Sequence, residues 1–222
     1  MDERRSPAGV VALVFTGGDP PVPTLAELLP REALVIGADS GIAHAHAFGR
    51  RVDLAVGDFD SVSPAVLADA ERAGACIERY PRDKDATDLE LALDAALARG
   101  VTRVTVVGGH GGRVDHFAAN LLLLGASRFA ELDLDAWFAA AHVTVVRRTA
   151  HLEGSPGDLV SLLAVGGRAE GVTTAGLRFP LQDAPLLPGS TLGVSNELDG
   201  TTAEISVRSG VVLAVQPHSL EP

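Results

Sequence analysis

The sequence predicts two domains: an α/β domain with a mostly parallel sheet over residues 1–150, and an all-β sandwich domain over residues 151–222. Three observations carry this reading. Short apolar runs alternate with helical periodicity through the first two-thirds of the chain, and nearly every run ends on glycine or aspartate. Past residue 150 the helical periodicity stops, and short β-prone segments alternate with turn signals.

In chain order, Val10–Phe15 reads as a buried strand ending at Thr16-Gly17-Gly18, and Ala33–Ala38 as a second ending at Asp39-Ser40-Gly41. A short helix follows over Ile42–Phe48, and Leu54–Val56 is a strand leading into Gly57-Asp58-Phe59-Asp60-Ser61. Ser63-Pro64 opens a helix to about Ala73, with serine at the N-cap and proline in the first turn. Cys76–Tyr80 is a strand, and Thr87–Arg99 a helix stopped by Gly100. Val104–Val107 is a strand before Gly108-Gly109, then comes a helix through Val114–Ser127 and a strand at Val143–Val146. This is the pattern of an open, Rossmann-like α/β sheet. The later segments are Leu159–Val165, Gly171–Thr174, Leu177–Phe179, Ala203–Val207 and Val211–Val215, a spacing that suits an antiparallel sandwich.

Composition narrows the function classes. The chain has 222 residues, 46% of them hydrophobic, and a mean hydropathy of +0.22, which describes an ordered globular protein. No apolar run reaches the ~20 residues that cross a bilayer. The N-terminal Met1-Asp2-Glu3-Arg4-Arg5 does not read as a secretory signal, and the single Cys76 excludes an internal disulfide, so a reducing cytoplasm is expected. A net charge of −11 argues against nucleic acid as a partner. Of the 18 basic residues, Lys84 is the only lysine, and it lies among Asp83, Asp85 and Asp88. An arginine-writing chain with one lysine points to a need for a compact ammonium at that position.

The acidic residues Asp39, Asp58, Asp60, Asp83, Asp85, Asp88 and Asp115 all follow strands or open helices, the edge where open α/β sheets bind ligands. Carboxylates converging there repel one another unless a cation compensates them, and Mg²⁺ is the hard, oxygen-seeking candidate. In extended chain Asp58 and Asp60 would project to the same side; a polar strand exit with Ser61 starting the next helix is the alternative. Thr87 with Glu90 forms a capping box and Asp88 suits the helix dipole, so these have structural explanations as well. Gly108–Arg113 is a glycine-rich turn without a Walker lysine, in which backbone amides and Arg113 can approach phosphate. His116 reads as a polar neighbour, His44 and His46 as structural or solvent-facing, and Trp137 as a packing residue.

Taken together and in order, Ala38-Asp39-Ser40-Gly41, Gly57-Asp58-Phe59-Asp60-Ser61, Asp83-Lys84-Asp85-Ala86-Thr87-Asp88-Leu89-Glu90, and Gly111-Gly112-Arg113-Val114-Asp115-His116 with Asn120 resemble the catalytic domain of thiamine pyrophosphokinases. Gly171–Phe179 and Gly193-Val194-Ser195-Asn196-Glu197 are similar to that family's β-sandwich segments. The resemblance implies transfer of diphosphate from ATP to the hydroxyl of thiamine, in a homodimer whose subunits jointly form the sites. It implies Asp58, Asp60 and Asp88 as Mg²⁺ ligands, and Asp39, Ser61, Asp83, Lys84, Thr87 and Arg113 as ATP contacts. Asp115 would lie near the reacting hydroxyl, and Ser195 and Asn196 would face the thiamine heterocycle. The family often reads Ala-Asp-Gly-Gly-Ala-Asn where this chain has Ala38-Asp39-Ser40-Gly41-Ile42-Ala43. Another heterocyclic alcohol such as a hydroxymethylpterin, or a silent nucleotide- or thiamine-binding regulator, are the alternative functions.

Overall fold

The computed structural model describes residues 9–220. The chain forms two compact units. The first runs through Val114 and takes in Glu131–Leu134; the second holds Asp115–Ala130 and the chain from Asp135 onward. The units thus divide the chain earlier than residue 150, and the strand after Ala141 and most of the preceding helix pack with the C-terminal segments.

In the first unit, strands β1 (Val10–Thr16), β2 (Leu34–Ala38), β3 (Leu54–Gly57), β4 (Cys76–Arg79) and β5 (Val101–Gly108) form a parallel sheet in the order β4-β3-β2-β1-β5. Helices α1 (Gly41–Ala47), α2 (Pro64–Arg72) and α3 (Asp88–Ala98) connect them. Ala12, Leu13, Val14 and Phe15 are fully buried in succession, as a strand covered on both faces requires. Helix α1 lies so close to β1 that a side chain at Gly41 would stand 2.1 Å from the Phe15 carbonyl oxygen, which makes glycine obligatory there. The expected caps form. Ser63 Oγ accepts from Val66 N at 3.3 Å, and Thr87 Oγ1 from Glu90 N at 3.2 Å. The strands run outward from β1 to β4 before the chain returns to β5 on the other side of β1. Strand order therefore reverses beside β1, and the loops leaving β1 and β5 flank that switch point.

The second unit holds α4 (Val114–Leu124) from Asp115, β6 (Asp133–Phe138) from Asp135, and strands β7 (Ala141–Val146), β8 (Thr149–Glu153), β9 (Leu159–Ala175), β10 (Ala184–Leu186), β11 (Asn196–Glu197), β12 (Thr202–Ser206) and β13 (Ser209–Gln216). They pair antiparallel in the order β6-β7-β13-β9-β12-β8, with β10 and β11 also on β9. The predicted strands Leu159–Val165 and Gly171–Thr174 are one 17-residue strand. Gly166-Gly167, one of the turn signals between those segments, bends β9 instead of reversing it: its first half pairs with β13 and its second with β12. Leu177–Phe179 makes only an isolated bridge, Leu177 to Leu198. The strand predicted at Val143–Val146 is the greater part of β7, whereas β6 and β8 went unpredicted. Val160, Leu162, Val172, Ile205, Val212 and Ala214 meet in one core; on β12 such residues alternate with exposed ones, whereas on β13 Leu213, between Val212 and Ala214, is buried as well. Trp137 is buried, its ring stacked on His142 at 4.3 Å. No helix among the described residues is long and apolar enough to cross a membrane.

Candidate active site

The acidic residues at the exits of β2 and β3 are brought together by two backbone kinks. Asp39 adopts φ 47° directly after β2, and its amide donates to the Val56 carbonyl of β3 at 2.9 Å. Phe59 adopts φ 62° between Asp58 and Asp60, its ring only 7% exposed and covered by the Arg79 guanidinium at 4.9 Å. A bulky residue is held in this left-handed region only by surroundings that over-determine it. Here the buried ring is that constraint. Extended chain would have aligned Asp58 and Asp60 by alternation; the structure instead folds them into a tight turn in which the Asp60 amide donates to Asp58 Oδ1 at 3.1 Å. One carboxylate oxygen each from Asp39, Asp58 and Asp60 then lies within 4.8 Å of the others.

The loop after β4 and the start of α3 complete the group. Lys84 Nζ stands 3.1 Å from Asp58 Oδ2 and 2.8 Å from Asp88 Oδ1, with 13% of its side chain exposed. Asp88 Oδ1, sealed from solvent, meets Lys84 as an ion pair and not through an aligned hydrogen bond. Gly57, at φ 149°, leaves room for this: a Cβ there would come within 3.1 Å of Asp88 Oδ1. Asp60 is bound by Ser61 Oγ at 2.9 Å and by exposed Arg82 at 3.2 Å. The metal ligands expected by resemblance were Asp58, Asp60 and Asp88. The three oxygens that converge come from Asp39, Asp58 and Asp60, with Asp88 held in the group through Lys84.

The electrostatics follow from this crowding. Burial, reinforced by the charges of Asp88, Asp58 and Asp60, holds the Asp39 carboxyl above its ordinary value despite a bond from the Ser40 amide. The Asp60 amide, with Lys84 and Arg82, holds Asp58 below its own. For Lys84, burial opposes the charge, but its pairing with the carboxylates of Asp88 and Asp58 outweighs it and raises the ammonium's pKa. Asp39 Oδ1 is sealed from solvent with no hydrogen-bond partner among the described residues. A buried orphan oxygen within a triad of carboxylates suits a hard divalent cation, so the residues present fit Mg²⁺.

At the switch point, the two glycine-rich loops zip together: the Gly109 amide donates to the Gly17 carbonyl at 2.7 Å, and the Asp19 amide to the His110 carbonyl at 2.8 Å. His44 Nδ1 donates to the Thr16 carbonyl at 2.9 Å, a structural role as expected. Burial lowers the His110 pKa, aided by His44 and opposed by Asp19. Ser40, the departure from the family pattern, lies against Gly17: a Cβ on Gly17 would sit 2.4 Å from Ser40 Oγ. Sequence reasoning passed over Arg82 and the Gly17-Gly18-Asp19 loop; Gly-Gly-Asp leaving a buried strand was the available signal for the loop.

Of the remaining predicted residues, Asp83 and Thr87 are exposed beside Lys84, Thr87 as the N-cap of α3, and Arg113 is exposed after β5. Asp115 is exposed in the first turn of α4. In the second unit Ser195 is exposed at φ 56°, its amide donating to Ser161 Oγ at 3.1 Å. Asn196 is only 3% exposed, and its amide is spent on backbone. Its Oδ1 accepts from Phe179 N at 3.0 Å and Glu197 N at 2.9 Å, while Nδ2 donates to the Phe179 carbonyl at 2.7 Å.

Comparison with known proteins places this geometry. The family model for the thiamin pyrophosphokinase catalytic domain matches residues 25–134, and that for the thiamin pyrophosphokinase vitamin B1 binding domain matches residues 144–212. A thiamine pyrophosphokinase of Bacillus subtilis is 27% identical over 205 residues, covering 88% of this chain and 92% of the relative. The crystal structure of thiamine pyrophosphokinase from Bacillus subtilis superposes with a TM-score of 0.80 at 26% identity, over 93% of this chain and 98% of that one. That of Geobacillus thermodenitrificans gives 0.76 at 26% identity, over 93% and 97%. Thiamin pyrophosphokinase from Candida albicans shares the fold, with a TM-score of 0.74 at 16% identity over 94% and 89%. Both domain models, matched in order and backed by relatives and structures spanning nearly the whole chain, show that the chain belongs to the thiamin pyrophosphokinase family.

Proposed function

We propose that this chain transfers diphosphate from ATP to the hydroxyl of thiamine, giving thiamine diphosphate and AMP. The observation that carries the proposal is the convergence of Asp39, Asp58 and Asp60, with Lys84 bridging Asp58 and Asp88, in the unit that matches the catalytic domain. The hydroxyl oxygen forms a bond to the β-phosphorus, the bond from that phosphorus to the α,β-bridging oxygen breaks, and the hydroxyl proton is released. Catalysis of such a transfer is chiefly positioning and charge stabilisation. Asp39, Asp58 and Asp60 would hold Mg²⁺, with Asp88 at the edge of the set through Lys84. Bound there, Mg²⁺ supplies Lewis-acid stabilisation of charge on phosphoryl oxygens. Lys84 and Arg113 are proposed to bind the polyphosphate, with the Ser61, Asp83 and Thr87 segment around them, and Asp115 to orient the hydroxyl. Ser195 remains a proposed thiamine contact; the Asn196 side chain, bonded to Phe179, is proposed to shape that region and not to touch the ligand.

The same reading takes the first unit as Rossmann-like, the second as a sandwich, and the active protein as a cytoplasmic homodimer. Exposed Phe179, Leu187, Leu192 and Val194 in the second unit support burial against a partner copy. Incubation with Mg²⁺, ATP and thiamine tests the activity. AMP and thiamine diphosphate are the expected products; ADP or free phosphate instead would sink the proposal.

A further inference from the structure

Both oxygens of Asp58 and both of Asp60 are already engaged by the chain's own donors. Asp58 Oδ1 accepts from the Asp60 amide and Oδ2 from Lys84. Asp60 Oδ1 accepts from Ser61 and Oδ2 pairs with Arg82. Asp39 Oδ1 is the open one. Four carboxylates (Asp39, Asp58, Asp60 and Asp88) therefore face two internal cations, and a divalent cation drawn to the group meets those cations first. Arg82, with 80% of its side chain exposed, can swing into water when displaced. Lys84, with 13% exposed and a carboxylate on either side, cannot retreat so freely. Left within a few ångströms of a divalent ion and away from bulk water, its charge opposes binding strongly. A polyphosphate changes this, because both displaced cations then gain new anionic partners.

Resting on the function proposed above, we propose that Lys84, assisted by Arg82, is an exchangeable counter-cation. In the metal-free protein it holds the carboxylates together and resists a bare divalent ion, and it is handed to the polyphosphate when nucleotide arrives. Metal and nucleotide then bind cooperatively, each strengthening the other by the same factor. A purely structural Lys84 would give no such coupling. Removing it would lower stability without tightening metal binding.

The test measures binding of Mn²⁺ alone to the full chain by electron paramagnetic resonance, for wild type, Lys84→Gln, Lys84→Arg and Arg82→Gln, and repeats it with α,β-methylene-ATP. Lys84→Gln is expected to bind bare Mn²⁺ tighter by roughly tenfold or more, Arg82→Gln by a smaller factor, and Lys84→Arg as wild type does. The nucleotide analogue should tighten Mn²⁺ on wild type and do so less on Lys84→Gln. A folded Lys84→Gln that binds bare Mn²⁺ no tighter than wild type overturns the proposal. Should thermal melting show Lys84→Gln unfolded, an Arg82→Gln no tighter than wild type overturns it equally. Wild type that shows the coupling yet forms no AMP and thiamine diphosphate sinks the function reading instead, and leaves the exchange standing.

Discussion

Lys84 in the first compact unit meets Asp58 and Asp88 with 13% of its side chain exposed, whereas Arg178 in the second meets Glu197 at 2.7 Å with 60% exposed. Arg208 with Asp183 and Arg168 with Glu170 are similar exposed pairs in the second unit. Exposed pairs gain little because water screens them and two long side chains lose freedom. The first unit has exposed pairs of this kind too, Arg51 with Asp53 and Arg72 with Asp69 among them, but it also gathers one group with more carboxylates than cations, an arrangement that folding alone does not call for. Backbone strain divides in the same way. Asp39 and Phe59 at positive φ build that group, while Asp183 and Ser195 in the second unit lie at exposed turns. Similar charges and strained residues thus have different meanings according to what surrounds them.

That contrast can be broken experimentally. The largest expected effect is on the first unit: Asp60→Asn or Asp88→Asn should lower the rate of AMP and thiamine diphosphate formation by about a thousandfold or more while the melting temperature stays near wild type. Near-wild-type turnover in both would erase the functional meaning of the cluster. Next is a residue of the second unit. Asn196→Ala strands the Phe179 amide and should cost about 1–3 kcal/mol in urea denaturation. An unchanged midpoint with a raised KM for thiamine would show instead a direct ligand contact.

Asp39 sharpens the comparison through pH. Its carboxyl pKa is raised in the fold, so ionisation costs stability as pH rises above the unfolded value of 3.8. Asp39→Asn should therefore raise the melting temperature of chelator-treated protein at pH 7, with the gain vanishing below 3.8. A lower melting temperature at pH 7 would show that the crowding is already relieved without metal. The smallest effect belongs to Arg208→Ala, expected to shift stability by less than about 1 kcal/mol and activity not at all, by the same two assays.

Much of the first unit was legible in the sequence because its signals are local. Val10–Phe15 is apolar throughout, as a doubly covered strand must be; Ser63-Pro64 and Thr87 carry their caps in their own side chains; and Lys84 stands out as the lone lysine among aspartates. The acidic group was legible as a list but not as a shape. Nothing local to Phe59 announces a left-handed turn, since that conformation depends on Arg79 and the pocket that takes its ring. In the second unit the strands were legible as segments, and their connections were not. Gly166-Gly167 suits a reversal and a bend equally, and only pairing with β13 on one side and β12 on the other selects the bend. Asn196 was read for its motif, whereas its role is set by Phe179, 17 residues away.

By itself the sequence determined the alternation of strands and helices, the change to β structure in the C-terminal part, the family, and which carboxylates and which single lysine gather at strand ends. Those properties follow from side-chain period, caps and residue type, which act over a few positions. Tertiary structure decided that Asp39 joins Asp58 and Asp60, that Lys84 stands between Asp58 and Asp88, that β9 is continuous, and that the compact units divide near residue 114. Each depends on packing and charge between groups distant in the chain, where the energy of one arrangement is defined only once its neighbours are in place.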